Sequence, residues 1–112
     1  MDIATAAAEI ATKYPIRGSG RIYEVPTGVY DRGWDGISLL LIDVGGTAVL
    51  TDCADVANGV GDRLTEEQII SLAERFGFHV TDWHIEKTYT GPGDIGDFIR
   101  LLGAAEAANA LS

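Results

Sequence analysis

The side chains best suited to covalent chemistry in this sequence are one cysteine and two histidines, Cys53, His79 and His84. A cysteine nucleophile needs a nearby base and a setting that lowers the pKa of its thiol. No local signature of an activated thiol surrounds Cys53, and a lone cysteine after an apolar strand is more typical of a small buried hydrophobe. If residues 78–89 form one strand, the two histidines face opposite sides of the sheet because they are five positions apart. They are then not expected to bind one metal ion together.

Three aspartates, Asp52, Asp55 and Asp62, are the next candidates, because carboxylate oxygens are ligands that calcium prefers. Their spacing lacks the alternating ligands and the terminal glutamate of an EF-hand loop. The sequence therefore predicts no metal site among them.

Two further kinds of site lack their defining residues in the sequence. A nuclease-type metal site needs Glu-x-Lys on a strand, whereas Glu86 and Lys87 are adjacent and project to opposite faces. The glycine-containing segments at 18–20 and 91–94 lack the Lys-Ser or Lys-Thr of a phosphate-binding loop. We therefore predict no catalytic residue, no metal ligand and no cofactor.

Charge is the strongest compositional signal, with 17 Asp and Glu against 8 Lys and Arg and a net charge of -9. Such a chain repels phosphate backbones and anionic membranes, so direct nucleic-acid or membrane binding is not expected. The acidity can simply serve solubility. Alternatively, an acidic face can bind a basic protein surface, and the clustering of the acids favours this second interpretation. One third of the chain, in which only Arg32 and Arg63 oppose them, holds Asp31, Asp35, Asp43, Asp52, Asp55, Asp62, Glu66 and Glu67.

The elements that must position these residues begin with a hairpin. The segment 37–43 is almost continuously apolar, which is typical of a central strand. Gly45 and Gly46 can both adopt the positive φ angles of a tight type I′ turn, after which residues 47–51 return antiparallel. The segment 52–62 is compatible with a loop or with a short, loosely formed helix.

The whole pattern predicts a single α+β domain over residues 1–112, with an N-terminal helix within 1–17 and the sheet and two helices in 18–112. The element order α-β-β-β-α-β-α indicates a mainly antiparallel sheet of three to five strands packed by helices. The other predicted features are a strand at 21–25 broken at Pro26, a helix begun by a Thr65–Gln68 capping box and closed by Gly77, one alternating strand at 78–89, and a last helix with Asp94 as its N-cap.

Trp34 lies inside the polar turn at 31–36. It is either a lid over the core or an exposed contact. Because folded chains seldom leave an indole in water, the lid is the favoured interpretation and the exposed contact is the alternative.

An apolar strand, a tight turn, a strand ending in Leu50-Thr51-Asp52, a small glycine-containing loop and a helix follow one another here. This pattern resembles an uncharacterised prokaryotic and phage domain family. The resemblance covers residues 20–105 in element order, and its sequence-level match is Leu50 to Asp52. A glycine expected directly after the acidic turn is displaced to Gly59. Because the family has no established activity, the resemblance implies a scaffold and a mobile-element context.

The favoured function is a small non-enzymatic binding protein that engages a basic, nucleic-acid-binding surface with its carboxylates. Size, acidity and the mobile-element context are similar to those of phage counter-defence inhibitors such as anti-CRISPRs. The predicted partner-binding residues are Asp31, Trp34, Asp35, Asp52, Asp55 and Asp62.

Two alternatives stay open. The first is a small enzyme or ligand-binding domain that uses Asp82, His84 and Glu86, if they share one face of the last strand; a solvated sheet face is the simpler interpretation of that row. The second is a structural homodimer built by pairing sheet edges.

A cytoplasmic location is expected. Cys53 has no partner for an intramolecular disulfide, Asp2 stands where a secretory signal carries a basic residue, and no apolar run approaches the length of a membrane span.

Overall fold

The computed structural model describes residues 1–31 and 33–112. Along the chain the elements are α1 (Ile3–Ala11), β1 (Arg17–Ser19), β2 (Ile22–Tyr30), β3 (Gly36–Val44), β4 (Thr47–Thr51), a short π-helical turn (Val56–Val60), α2 (Glu66–Arg75), β5 (His79–Thr81), β6 (His84–Thr88) and α3 (Gly93–Ala110).

The six strands form one sheet in the order β1-β2-β3-β4-β6-β5, and every neighbouring pair is antiparallel. The predicted single α+β domain with a mainly antiparallel sheet is confirmed. The strand count is higher than the three to five expected, because β1 was not predicted and the last predicted strand is divided in two.

The central hairpin is confirmed. Val44 pairs with Thr47 across the β3–β4 turn, and Gly45 and Gly46 have φ angles of 59° and 87°. These are the left-handed conformations that a tight turn of this kind demands. The turn thereby fixes the register of the two strands on which the rest of the sheet is assembled.

The predicted break at Pro26 is wrong. β2 continues through Pro26, which pairs with Ser38, and a register shift follows between Pro26 and Tyr30. β1 pairs only with residues 22–24 and does not extend to Pro26. The backbone nitrogen of Pro26, which carries no hydrogen, therefore faces no strand that would need a donor from it. Proline is therefore tolerated inside a strand at this one edge.

The prediction of a single strand at 78–89 is also wrong. A two-residue turn at Asp82 and Trp83, with φ angles of 51° and 67°, divides it into the β5–β6 hairpin. Thr81 pairs with His84 and His79 pairs with Glu86, so both histidines project from the same face of the sheet. Asp82 belongs to the turn and does not share a strand face with His84 and Glu86.

All three helices cover one face of the sheet. α1 contacts β3 and β4, α3 contacts β2, and α2 contacts β5. Alternate strand residues enter the single core on that face, as expected for a sheet with one buried side. The sheet contributes Val25, Ile37, Leu39, Leu41, Ala48, Leu50 and Ile85, and the helices contribute mainly Ile10, Ile69, Leu72, Ile95, Phe98, Leu101 and Leu102. Among the described residues, none of the helices has the length and apolar character that a membrane span requires.

The predicted ends of α2 are confirmed. Thr65 and Gln68 form a capping box, with Thr65 Oγ1 accepting from the Gln68 N–H and Gln68 Oε1 accepting from the Thr65 N–H. Gly77 follows the helix with a φ of 83°, as a left-handed cap requires.

Asp94 is not the N-cap of α3; it lies inside the first turn and is buried. Its carboxylate accepts from the Thr90 N–H at 2.7 Å, from the Thr90 hydroxyl and from the Gly91 N–H, and its Oδ1 lies 2.7 Å from Lys87 Nζ. The side chain therefore joins β6 and the following loop to the start of α3.

We predict that Asp94→Ala destabilises the protein more than Lys87→Met. Lys87→Met keeps an apolar stem and leaves Asp94 its loop donors, so a loss of about 3 kcal/mol in the free energy of unfolding is expected. Asp94→Ala leaves both the largely buried Lys87 ammonium and the Thr90 N–H without their acceptor, so a loss of about 4 kcal/mol or more in the free energy of unfolding is expected. Urea denaturation of both variants measures the difference, and a larger loss for Lys87→Met would contradict the central role of Asp94.

Candidate functional site

Three loops meet at one end of the sheet because its strands are antiparallel. The β2–β3 turn, the segment after β4 and the β5–β6 turn all lie where β2, β4 and β5 end and β3 and β6 begin. We call the described residues of these loops, 31, 33–35, 52–65 and 82–83, the acidic end. Its carboxylates are those of Asp31, Asp35, Asp52, Asp55, Asp62 and Asp82; Arg63 is the cationic side chain among these described residues, and Arg32 lies outside them.

Asp52 is the buried anchor of the acidic end, with 1% of its surface exposed. Its Oδ1 accepts from the Ile85 N–H at 2.7 Å and from the Ala54 N–H at 2.9 Å, and its Oδ2 accepts from the Val56 N–H at 3.1 Å. Burial raises the pKa of the Asp52 carboxyl, although the three backbone donors and nearby His84 oppose the rise. Asp52 was predicted to be a surface contact, and this prediction is corrected: its carboxylate is buried, stabilises the fold and is out of reach of a partner.

Asp31 organises the β2–β3 turn. Its Oδ1 accepts from the Gly33 N–H at 2.8 Å and from the Asp35 N–H at 3.0 Å, while its own N–H donates to the Asp35 carbonyl. The turn is thus closed by both backbone and side chain, as aspartate-initiated turns commonly are. Asp31 itself is half-buried, and Asp35 is exposed.

Trp34 stands out from this turn with 84% of its surface exposed and a φ of 65°. The favoured lid interpretation is therefore wrong, because the indole covers no core residue. The closed turn around it holds Trp34 in a left-handed backbone conformation. A solvent-exposed indole is uncommon in folded chains, so Trp34 is a candidate contact residue.

An apolar groove of 620 Å³ runs beside Trp34, between the β2–β3 turn and α3. Tyr30, itself 61% exposed, forms one wall. Apolar side chains from α3 and the π-helical turn form the floor, and carboxylates stand at the rim. The lining residues used here are Tyr30, Asp31, Trp34, Ile99, Leu102 and Glu106.

Gly59 allows the segment after β4 to approach the β2–β3 turn. A Cβ atom at Gly59 would lie 2.8 Å from the Asp31 Cβ, which real structures do not accommodate without movement. The close approach brings Asp55, which is half-buried, toward two other carboxylates. Burial raises the pKa of Asp55, and the charges of Asp52 and Asp31 raise it further.

The far end of the segment is held by α3. Asn109 is fully buried; its Oδ1 accepts from the Arg63 N–H at 2.8 Å, and its Nδ2 donates to Asp62 Oδ1 at 3.0 Å. Asp62 is exposed, as predicted for a contact residue, but its carboxylate also serves this joint. Asn109 was not identified from the sequence, since an asparagine on a helix gives no signal of a partner 47 residues away.

Backbone strain is concentrated at the acidic end. Among the described residues, the positive-φ residues other than glycine are Trp34, Cys53, Ala54, Asp82 and Trp83, and all five lie there. Left-handed backbone at non-glycine residues costs on the order of 1–3 kcal/mol each and clusters at functional sites. Trp83, 38% exposed, adds a second indole to this surface.

The chemistry available at the acidic end does not favour nucleophilic catalysis. Cys53 is exposed, yet neighbouring protein atoms desolvate its thiol and raise the thiol pKa, and the carboxylates of Asp52, Asp55 and Glu86 raise it further. A thiol with a raised pKa is protonated at neutral pH and is a weak nucleophile. Within the described part of the chain, no group of three or more His, Cys, Asp or Glu side chains is arranged to hold a metal ion.

We predict that Gly59→Ala loosens the β2–β3 turn. The added Cβ must displace Asp31, so a loss of about 1–3 kcal/mol in the free energy of unfolding is expected. Gly103→Ala is the matched control, because a Cβ there meets nothing within 4 Å; in the middle of α3 it should stabilise by up to about 1 kcal/mol. Urea denaturation measures both, and equal effects of the two substitutions would show that Gly59 is not required for close packing.

We predict a pH signature for Asp52. Because burial raises its folded-state pKa above the ordinary 3.8, the stability it contributes is present below that value and is lost as pH rises through the folded pKa. The stability of the wild type relative to Asp52→Asn should therefore fall as pH rises from acid toward neutral. Unfolding free energies of both proteins across this range test the sign. A relative stability that grows with pH would mean that the three N–H donors outweigh burial.

Comparisons with protein-family models, with curated proteins and with solved structures found no match to this chain. The resemblance built on Leu50 to Asp52 remains a prediction, and function must be argued from the site itself.

Proposed function

We propose that the protein is a non-enzymatic binding module whose acidic end engages a basic protein surface. The observation that carries this proposal is Trp34, an indole 84% exposed on a turn that is closed by the Asp31 carboxylate. Tryptophan is among the residues that most often dominate binding energy at protein interfaces. Because hydrogen bonds to Asp31 already close the turn, less backbone entropy is lost when a partner covers the ring.

The negative charge around Trp34 favours a partner with a basic surface. Glu106 is exposed and lines the groove together with Trp34 and Asp31, and Asp35, the residue after Trp34, is also exposed. Carboxylates around an apolar anchor steer a cationic surface into place and discourage an anionic one. Of the predicted contact residues, Trp34, Asp35 and Asp62 are exposed, Asp31 and Asp55 are half-buried, and Asp52 is withdrawn from the proposed contact set.

We further propose that the basic surface is one that normally holds nucleic acid, so that the acidic end acts as a phosphate mimic in the manner of a phage counter-defence inhibitor. The support is a net charge of -9 together with the gathering of aspartates from three separate loops at one end. A cytoplasmic location is proposed with it, since the chain's one cysteine offers no intramolecular disulfide.

The proposal is tested with an arginine- and lysine-rich peptide that carries one central leucine. We expect the wild type to bind it with an affinity that falls as salt rises. Trp34→Ala should raise the dissociation constant roughly thirtyfold, the equivalent of about 2 kcal/mol. Duplex DNA should compete with the protein for the peptide, as a phosphate mimic requires.

A pair of charge variants separates the site from general acidity. Asp35→Lys/Glu106→Lys and Glu74→Lys/Asp97→Lys each change the net charge from -9 to -5, because every substitution removes one negative charge and adds one positive charge. The control pair lies toward the opposite end, where β5 begins and β6 ends. Only the first pair should abolish peptide binding. Equal losses from both pairs would reduce the interaction to net charge, and retention by the first pair would refute the site.

A further inference from the structure

The face of the sheet opposite the helices carries a continuous apolar row. Ile22 on β2 pairs with Ile42 on β3, which pairs in turn with Val49 on β4. Leu40 extends the row by one step along β3, because side chains two residues apart share a face. Ile22 and Val44 are more than half exposed, at 52% and 53%.

This row is separate from the core. Leu40, Ile42 and Val49 are half-buried, but they are not among the described hydrophobic residues that pack against the core cluster. The core takes only the residues that alternate with them, such as Leu39, Leu41 and Leu50. The shortest dimension of the molecule, 19 Å, corresponds to one sheet and one helix layer. Within the described part of the chain, no helix therefore covers the second face of the sheet.

From this face we infer a second binding surface, and its partner is a second copy of the same chain. The two open faces would stack, with the sheets about 10 Å apart, to give four layers with helices outside and both apolar rows inside. This surface lies apart from the acidic end and does not depend on the function proposed for it.

Charge supports a second copy over a basic partner. The open face carries Glu24, Arg17 and Glu86 as its formally charged residues, and Arg17 forms an ion pair with Glu24. This face is thus nearly neutral in a chain of net charge -9. A cationic partner is drawn to the acidic end instead, whereas two nearly neutral faces can meet without strong repulsion.

The area of the open face can be compared with the area that protein dimers bury. Six strands at about 4.8 Å spacing are about 24 Å wide; the inner strands, of five to nine residues, are about 17–30 Å long, and the two edge strands, of three residues, are about 10 Å long. The projected area is roughly 400–700 Å² before side-chain relief is counted. A standard interface buries about 800 Å² on each partner, so the open face has the scale of a weaker dimer contact that depends on protein concentration.

The edges of the sheet provide a smaller contact surface for a second copy than its open face does. β1 and β5, which end the sheet on either side, are three residues long. Short edge strands are a common protection against edge-to-edge pairing. Stacking of faces therefore replaces the edge pairing considered from the sequence as the geometry for a homodimer.

The test is the mass of the wild type in solution, measured by sedimentation over a wide range of protein concentration and salt. We expect a transition from the 11.9 kDa chain to twice that mass. Salt should favour the dimer, because it screens the repulsion between two acidic chains while leaving apolar contact intact. Binding of the basic peptide at the acidic end has the opposite salt dependence, so the two surfaces can be told apart.

Ile42→Lys should raise the dimer dissociation constant by about tenfold or more, since a cation replaces an apolar side chain inside the contact. Ile22→Lys, at a position already half exposed, provides a second variant that should fold if Ile42→Lys does not. Ala8→Lys, on the exposed side of α1, is the control with the same added charge and should dimerise as the wild type does.

A mass fixed at that of one chain under all conditions would overturn the inference. So would a dimer that survives both Ile42→Lys and Ile22→Lys. Asp35→Lys/Glu106→Lys should leave the dimer intact, so failure of the acidic-end proposal and failure of the dimer give different results.

Discussion

The carboxylate of Asp52 fixes the geometry on which the acidic end depends. β4 ends at Thr51, directly before this residue, and the chain must leave the sheet within a few positions. The Asp52 oxygens accept from Ala54 and Val56, which turns the chain, and from Ile85, which ties the turn to β6. Asp52 also donates its own N–H to the Ile85 carbonyl. One buried side chain thus completes the β4–β6 ladder and starts the loop that meets the β2–β3 turn.

Carboxylates of the same type therefore have different tasks according to their surroundings. Asp52 and Asp31 accept backbone N–H groups and hold loops in place, whereas Asp35 is exposed and available for contact. In the proposed contact, these hydrogen bonds would reduce the entropy that an exposed side chain loses on binding, because they restrict the loop that carries it. The high acidity of the chain thus includes both structural acceptors and surface charge, and composition alone does not distinguish them.

Features that depend on local interactions could be predicted from the sequence. The glycine pair at 45–46 and the capping box of Thr65 and Gln68 act within a few residues, so their chemistry can be recognised without a structure. The β5–β6 turn could not, because Asp82 and Trp83 interrupt the alternating pattern without a glycine or proline, and their strained backbone is sustained by the paired strands. Pro26 is tolerated for a similar non-local reason, the short reach of β1. At the candidate site, the turn at 31–36 was predicted, but the exposure of Trp34 and the burial of Asp52 depend on packing between loops distant in sequence.

The two ends of the sheet differ in how the chain makes its left-handed turns. At one end, Gly20, Gly45 and Gly46 adopt positive φ without steric cost. At the acidic end, non-glycine residues do so against their own preference. Hydrogen bonds to Asp31 and Asp52 hold Trp34 and Ala54 in place, and the pairing of β5 with β6 holds the turn at 82–83. Backbone strain is thus concentrated at one end of the hydrogen-bonded sheet, so the two ends of the molecule are not equivalent. Opening fluctuations should begin at the strained acidic end and spread along the strands toward the glycine turns, so the end proposed to bind a partner is also the part of the fold from which unfolding starts.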